Sequence, residues 1–362
     1  EADANFHLGV GISSTARRSM GVESQDNVAA SAVGTGRNIA RCIRILNAAG
    51  TLAASGEFVS QDTDGFTINW TTAGAIGRKI HFLALGGADL TNVALASRTV
   101  PTVIGLQAIT GIGFKPDSLL FFGPSASLNE DSLGQGNSAV QVGFASRVQD
   151  PQAWHDNGAI DNEAQTARAV NAVNPADTWR RFASTRSLHA VGSGGLFFSG
   201  FVNSFDTDGF TLDWTTVSSS AYFYYILALK GPSFEQSNIT QPATTGQMFF
   251  DIGLKGKALL LWSAQSAVNQ TTEAECRFAF GAATAPTNRI ACWLGDKDNV
   301  SPTQADQEQD STKALKMSDP TSTTPTLMAA ADFVAFNLDT LRFTIDWTTV
   351  DAVGRRVSYL VI

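Results

Sequence analysis

The sequence predicts an all-β chain of three tandem antiparallel β-sandwich repeats, of jelly-roll or immunoglobulin-like type, the first lacking its N-terminal strands. Three observations predict it. The stretch Asp206-Thr-Asp-Gly-Phe-Thr-Leu-Asp-Trp-Thr-Thr216 recurs as Asp62-Thr-Asp-Gly-Phe-Thr-Ile-Asn-Trp-Thr-Thr72. A more worn copy is Leu338-Asp-Thr-Leu-Arg-Phe-Thr-Ile-Asp-Trp-Thr-Thr349. A second apolar run follows each copy at one distance: Phe82, Ile226 and Tyr359 each stand twelve residues past Trp70, Trp214 and Trp347. The composition agrees, with only 16% charged residues, 32 glycines and few helical periodicities, as in loop-rich β proteins.

In the repeated stretch large apolar residues alternate with small polar ones, the period of a strand with one buried face. Phe66, Ile68 and Trp70 are expected to point inward, as are Phe210 and Trp214, and Phe343 and Trp347. The β-branched Thr residues suit the outer face. Asp-Thr-Asp-Gly before the strand reads as a tight turn, with Gly65 or Gly209 supplying positive φ. The following runs, His81-Phe-Leu-Ala-Leu, Tyr225-Ile-Leu-Ala-Leu and Ser358-Tyr-Leu-Val-Ile, are continuous and apolar, the pattern of strands buried on both faces. Strand and run together are expected to form a β-hairpin.

The Trp positions recur at intervals of about 140 residues, an ordinary domain length, which sets the expected repeats at 1–87, 88–231 and 232–362. In the first, 6–12 and 40–46 read as strands before the repeated stretch. In the second, 102–110 is a strand, a turn follows around Pro116, 118–122 is a buried strand, and 139–146 matches the strand that opens repeat one. A long polar loop is expected from Gln149 to about Thr178, with a short helix between Asn162 and Asn171. The hairpin 186–202 precedes the repeated stretch. The third repeat follows the same order, with strands at 246–253, 257–262 and 274–281, and a charged loop or helical turn at 304–313. Repeat one has no counterpart of 102–110 or 118–122. Its missing strands would leave an edge open, so either an N-terminal stretch is absent from the sequence or another chain lends them, the first being preferred.

Composition limits the function. The net charge is −8 with no basic stripe, which argues against a nucleic-acid partner. The apolar runs are strand-length, so no membrane insertion is expected. Three cysteines, Cys42, Cys276 and Cys292, with no paired spacing argue against a disulfide framework or a zinc ribbon and for buried thiols. The four histidines are scattered, and no hydrolase, nucleotide or zinc motif is present. Catalytic residues, metals and cofactors are therefore expected to be none. A calcium reading of Asp62/Asp64 and Asp206/Asp208 is disfavoured, because the third copy lacks the second Asp and the Gly and no Glu completes the ligand set.

One polar feature recurs outside the core. Asp26-Asn27, Asp156-Asn157 and Asp298-Asn299 are read as one loop in three copies, with Trp154 and Trp293 preceding two of them. An exposed aromatic face beside Asp and Asn is what a carbohydrate site uses, and these eight residues are the candidate ligand-binding set. The bland alternative is a turn with a covering Trp.

The order Gly113-Phe-Lys-Pro-Asp-Ser-Leu-Leu-Phe, Gly143-Phe-Ala-Ser-Arg147, Asp206 to Thr216 and Tyr225-Ile-Leu-Ala-Leu-Lys-Gly231 resembles repeat domains of tailed-bacteriophage virion proteins. The resemblance covers essentially the whole chain, with Leu254-Lys-Gly-Lys-Ala-Leu-Leu-Leu replacing the Pro turn in the third copy. More loosely, the pattern is similar to the H-type lectin sandwich. The resemblance implies a non-enzymatic virion component on the particle surface: capsid decoration, fibre or tail accessory protein. It implies a homo-oligomer that contacts other virion proteins. A host-attachment module binding surface glycan through the long loops is the alternative.

Overall fold

The computed structural model describes residues 3–47, 50–124, 133–135, 138–149, 156–170, 172–192, 195–231, 233–321 and 324–362. The elements named among them are all β-strands. The first stretch contributes β1 (Ala4–Gly11), β2 (Arg17–Ser24), β3 (Val33–Asn38), β4 (Ile43–Asn47), β5 (Thr51–Asp62) and β6 (Gly65–Thr72). The second contributes β7 (Asn92–Thr99), β8 (Gly105–Thr110), β9 (Ser118–Gly123), β10 (Leu133–Gln135), β11 (Ser138–Gln149) and β12 (Asp156–Ala169). It continues with β13 (Thr178–Ala183), β14 (Leu188–Gly192), β15 (Gly195–Asp206), β16 (Gly209–Thr216) and β17 (Phe223–Lys230). The third contributes β18 (Glu235–Thr240), β19 (Gly246–Asp251), β20 (Leu259–Ser263), β21 (Thr272–Ala274), β22 (Cys276–Ala285) and β23 (Asn288–Asp296). It ends with β24 (Ala305–Asp310), β25 (Leu315–Asp319), β26 (Thr326–Asn337), β27 (Arg342–Thr349) and β28 (Arg356–Val361).

The second and third stretches match strand for strand. One sheet runs β13-β12-β11-β9-β17-β7, the other β24-β23-β22-β20-β28-β18; the sheets opposite run β14-β15-β16-β8 and β25-β26-β27-β19. All named ladders are antiparallel. The first stretch has β3-β2-β1 and β4-β5-β6, and among the described residues no counterparts of β7, β8 and β9. Each pair of sheets meets at a glycine. A Cβ on Gly9, Gly143 or Gly281 would lie 1.7, 1.9 or 1.8 Å from the carbonyl oxygen of Cys42, Ser187 or Ala314, so only glycine allows that approach.

The Asp-Thr-Asp-Gly turn joins β15 to β16 and β5 to β6. Asp206 accepts hydrogen bonds from Ser204 Oγ and Thr211 Oγ1, both at 2.7 Å; Asp62 does the same with Ser60 and Thr67, both at 2.7 Å. Gly209 has φ +132°, and a Cβ there would lie 2.0 Å from Ile109 O on β8. The expected hairpin from the repeated stretch into the following apolar run does not form. β16 pairs with β15 and β8, whereas β17 pairs with β7 and β9 in the other sheet. The chain crosses from one sheet to the other between them, which seats Trp214 against Tyr224, ring centroids 5.9 Å apart.

The continuous apolar runs have two cores to fill. On β17, Tyr224, Ile226 and Ala228 pack into the second stretch's own sandwich core. Tyr225, Leu227 and Leu229 face the other way, into a core shared by all three stretches. On β20, Leu259 and Leu261 face the third sandwich, while Leu260 and Trp262 face the shared core. Phe6 meets Phe278 edge to face at 5.8 Å there, and Phe144 meets Phe234 at 6.5 Å. The sandwiches are thus not a string of beads; their inner sheets cover one another. That is why antiparallel strands here carry the two-faced burial usual for parallel ones.

Loops lock this arrangement in a cycle. Asn27 N donates to Thr303 O (2.9 Å) and Thr303 N to Val28 O (2.9 Å). Asn299 N donates to Ala176 O (2.7 Å) and Ala176 N to Val300 O (3.0 Å). Ala172 N donates to Ser31 O (2.7 Å) and Ser31 N to Val173 O (2.9 Å). Asn27, Ala172 and Asn299 have φ of 56°, 58° and 55°. Short strands add to the exchange: β10, from the second stretch, pairs with β3, and β21, from the third, pairs with β13. Across the latter join, Arg180 is paired with Glu273 at 3.1 Å and Glu275 at 3.4 Å.

Several local expectations are corrected. The expected helix between Asn162 and Asn171 falls largely within β12, whose Gln165 and Thr166 bury polar groups in good hydrogen bonds. The charged segment at 304–313 carries β24. Residues 80–86 form no strand, because no neighbour of the β9 kind stands beside them. For the same reason two residues assigned to the core are not buried. Trp70 is 49% exposed and Phe66 is half-buried, although Trp214 and Trp347 are 1% and 0% exposed. Phe210 and Phe343 are buried as expected.

This contrast sets a prediction. Trp214→Ala should lower stability by about 3–5 kcal/mol by opening a cavity in a filled core. Trp70→Ala, which removes a half-solvated ring, should cost under about 1 kcal/mol. Thermal and denaturant melts of the two variants measure both.

Candidate functional site

A surface groove lies on the second stretch where it meets the third. Strand β12 supplies Ile160, Asp161 and Asn162; the turn from β13 to β14 supplies Ser184, Thr185 and Arg186; β15 supplies Phe201, Val202 and Asn203. Its volume is ≈ 460 Å³. A smaller hollow continues it across Asp161, Glu163, Gln236, Ser237 and Asn238. The walls are rigid for a local reason. Asn162 is clamped to β15, accepting from Val202 N at 2.8 Å and donating to Val202 O at 3.3 Å. The Ser184–Thr185 turn is held by the third stretch: Asn269 Nδ2 donates to Ser184 Oγ at 2.8 Å and Gln270 Nε2 to Thr185 Oγ1 at 3.0 Å. Arg186 stands 5.4 Å from the centroid of the Phe201 ring and donates to Thr185 O at 2.8 Å.

The acids beside the groove are unusual. Burial pushes Glu163 up to about 7, against donation from Ser358 and Asn238 and with Asp161 adding to the rise. Glu163 Oε2 accepts from Asn238 Nδ2 at 2.8 Å. Burial followed by the Asp161 charge pushes Glu235 up to about 7, and burial raises Asp161. The side chain of Glu163 is spent on the joint between the two stretches, not offered to a ligand. What the groove offers outward is an aromatic ring flanked by a guanidinium, amides and hydroxyls, a set suited to a polyhydroxylated ligand.

The sequence-predicted residues are distributed otherwise than expected. Trp154 lies outside the described residues. Asp156 and Asn157 open β12 at the hairpin tip after β11, and β12 leads from them to the groove wall at Ile160. Asp26-Asn27 and Asp298-Asn299 instead sit at the next turn, at the opposite end of the strand. Their counterpart in the second stretch, by register from Gly143, is the loop containing Ala172, not Asp156-Asn157. These dipeptides bind the chain itself. Asp26 Oδ1 accepts from Ala305 N at 3.0 Å and Asp298 Oδ1 from Thr178 N at 2.9 Å, each capping the neighbouring stretch. Trp293 is 1% exposed, sits in the third sandwich core and presents no face for stacking. Sequence reading missed the groove because its residues come from three separated segments with no shared motif.

Among the described residues no group of three or more His, Cys, Asp or Glu is placed to hold a metal. The Asp62 and Asp206 carboxylates are engaged by hydroxyls, and Asp208 accepts from Gly111 N at 3.1 Å and Gly113 N at 2.6 Å. The thiols of Cys42, Cys276 and Cys292 are unbridged, and burial raises all three. Among the described residues no helix is long and apolar enough to cross a membrane, which says nothing of a β-barrel. Comparisons with protein families, curated proteins and solved structures find no match.

The raised acids generate a pH prediction. A carboxyl whose folded value is about 7 holds its proton between its ordinary 4.5 and 7 in the native state only. Its contribution therefore weakens the fold as pH rises through that window. Glu163→Gln, which has no charge to bury, should be more stable than the parent at pH 8 by on the order of 2 kcal/mol. At pH 4.5 the two should melt together. Thermal melts at the two pH values measure the difference.

Proposed function

We propose that this chain is a non-enzymatic structural protein of a tailed-bacteriophage virion, displayed on the particle surface as a capsid decoration, fibre or tail accessory component. The observation that carries the reading is the cyclic interlock. Three successive sandwich stretches clasp one another through paired backbone hydrogen bonds and a common apolar core. Such an assembly is a rigid scaffold that holds loops and strand edges outward in fixed relation, which is what a particle component must do. The sequence resemblance to virion repeat domains and the weakly charged, acidic composition support the same reading. Its partners would be other virion chains and further copies of itself.

The second reading, host attachment through surface glycan, is favoured by the groove with Phe201, Arg186 and Asn203. The two readings part on adsorption. Antibody raised against the chain should label purified particles; label found only in free protein from the lysate would contradict the virion assignment. Arg186→Ala combined with Phe201→Ala should leave adsorption of particles to host cells unchanged if the chain is decoration. A loss of adsorption of about tenfold or more, with an unchanged melt, would move the assignment to attachment.

A further inference from the structure

The first stretch keeps the residues that, in the second, grip a strand pair which the first does not have. In the second stretch four features of the repeated motif are satisfied by β8 and the turn that follows it. Trp214 is paired with Gly105, and its Nε1 donates to Gln107 Oε1 at 2.8 Å. Phe210 is paired with Ile109. Gly209 makes room for Ile109 O. Asp208 holds the amides of Gly111 and Gly113. Beyond that turn β9 fills the slot between β11 and β17. The third stretch repeats this with β19, where Gly246 is paired with Trp347 and Phe250 with Phe343, and with β20 between β22 and β28.

The first stretch has the same letters with no strand opposite them among the described residues; Phe66 meets the rings of Phe82 at 4.9 Å and Phe58 at 6.3 Å. Asp64 is exposed. A Cβ on Gly65 would meet no atom within 4 Å. Trp70 is 49% and Phe82 69% exposed, and Ile76 is exposed as well. Among the described residues strand β6 pairs with β5 alone, and β1 with β2 alone. A free edge next to exposed aromatics is a template for strand addition.

We propose that the first stretch is a strand acceptor, whose occupant is a strand–turn–strand segment of this protein's own repeat type. The occupant lies antiparallel along β6, with a glycine opposite Trp70 and a large apolar residue opposite Phe66. Its turn amides lie on Asp64. Its second strand enters between β1 and residues 80–86, ordering them as β9 orders β17. The glycine is specified by the geometry: Gly105 and Gly246, which stand opposite the two buried Trp residues, have φ of 118° and 136°, where a side chain would be strained.

The test uses the whole 362-residue chain and, as probe, a peptide of residues 102–123 of the same sequence. Titration followed by calorimetry should show saturable one-to-one binding. Hydrogen exchange should show new protection confined to residues 4–11, 65–72 and 80–86. Trp70→Ala, an exposed position whose loss should leave the melt unchanged, should weaken binding at least about tenfold. The peptide with Gly105→Val should also bind at least about tenfold more weakly, which a merely sticky apolar patch would not require. Absence of binding would overturn the proposal. So would protection at β16 and β17 in place of β6, which would mean exchange with the resident strands. Self-association of the chain through β6 without the peptide, or equal binding of the Gly105→Val peptide, would overturn it as well.

Discussion

Backbone groups in loops that lie far apart in sequence can be buried only if each finds a partner. The structure meets that demand with a ring: residues 27–28 bond to 303, 299–300 to 176, and 172–173 to 31. Each loop presents a left-handed residue whose amide turns toward the next loop. Around this ring the inner sheets come face to face, and Phe6, Phe144, Tyr225, Trp262 and Phe278 share one core. Without the ring those sheets would each carry an apolar face to water. Side-chain caps from Asp26 and Asp298 and the exchanged strands β10 and β21 follow the same neighbour-to-neighbour scheme.

The joints carry buried acids as well as apolar contacts. Asp296 accepts from Ser24 Oγ at 2.6 Å, and burial, opposed by that bond and reinforced by Asp26 and Asp298, pushes it up to about 7. Glu163 is a second such acid, at the joint between the second and third stretches. Both joints therefore respond to pH in one direction, loosening as the acids ionise. His7 and His189 respond in the other direction. Desolvation lowers His7 to about 4 and His189 to about 3, so both stay neutral in the fold, and stability is lost as pH falls through the ordinary histidine range.

Much of this was legible in the sequence, and the failures have physical causes. The alternation in Phe-Thr-Leu-Asp-Trp-Thr located β6, β16 and β27, because one buried face imposes period two. The continuous runs in β17 and β28 correctly announced burial on both faces. Periodicity reports that a face is covered, not what covers it, so the shared core was invisible and the strands were joined into a hairpin that does not exist. Trp70 carries the same local pattern as Trp214, yet burial depends on β8, which lies about a hundred residues away from its partner and has no copy in the first stretch. Asp-Asn was matched by letters alone. The true counterpart in the second stretch contains Ala172, which keeps the left-handed backbone of Asn27 and Asn299 without their side chain. Trp293 precedes its Asp-Asn pair by enough residues to lie in the strand, where the sheet turns it inward.

If the ring and the shared core bind the three stretches into one structure, the chain cannot unfold in parts. Differential scanning calorimetry of the intact chain tests this most directly. The account predicts a single transition in which the calorimetric and van't Hoff enthalpies agree. Separate transitions for individual sandwiches, or a van't Hoff enthalpy near a third of the calorimetric value, would contradict it.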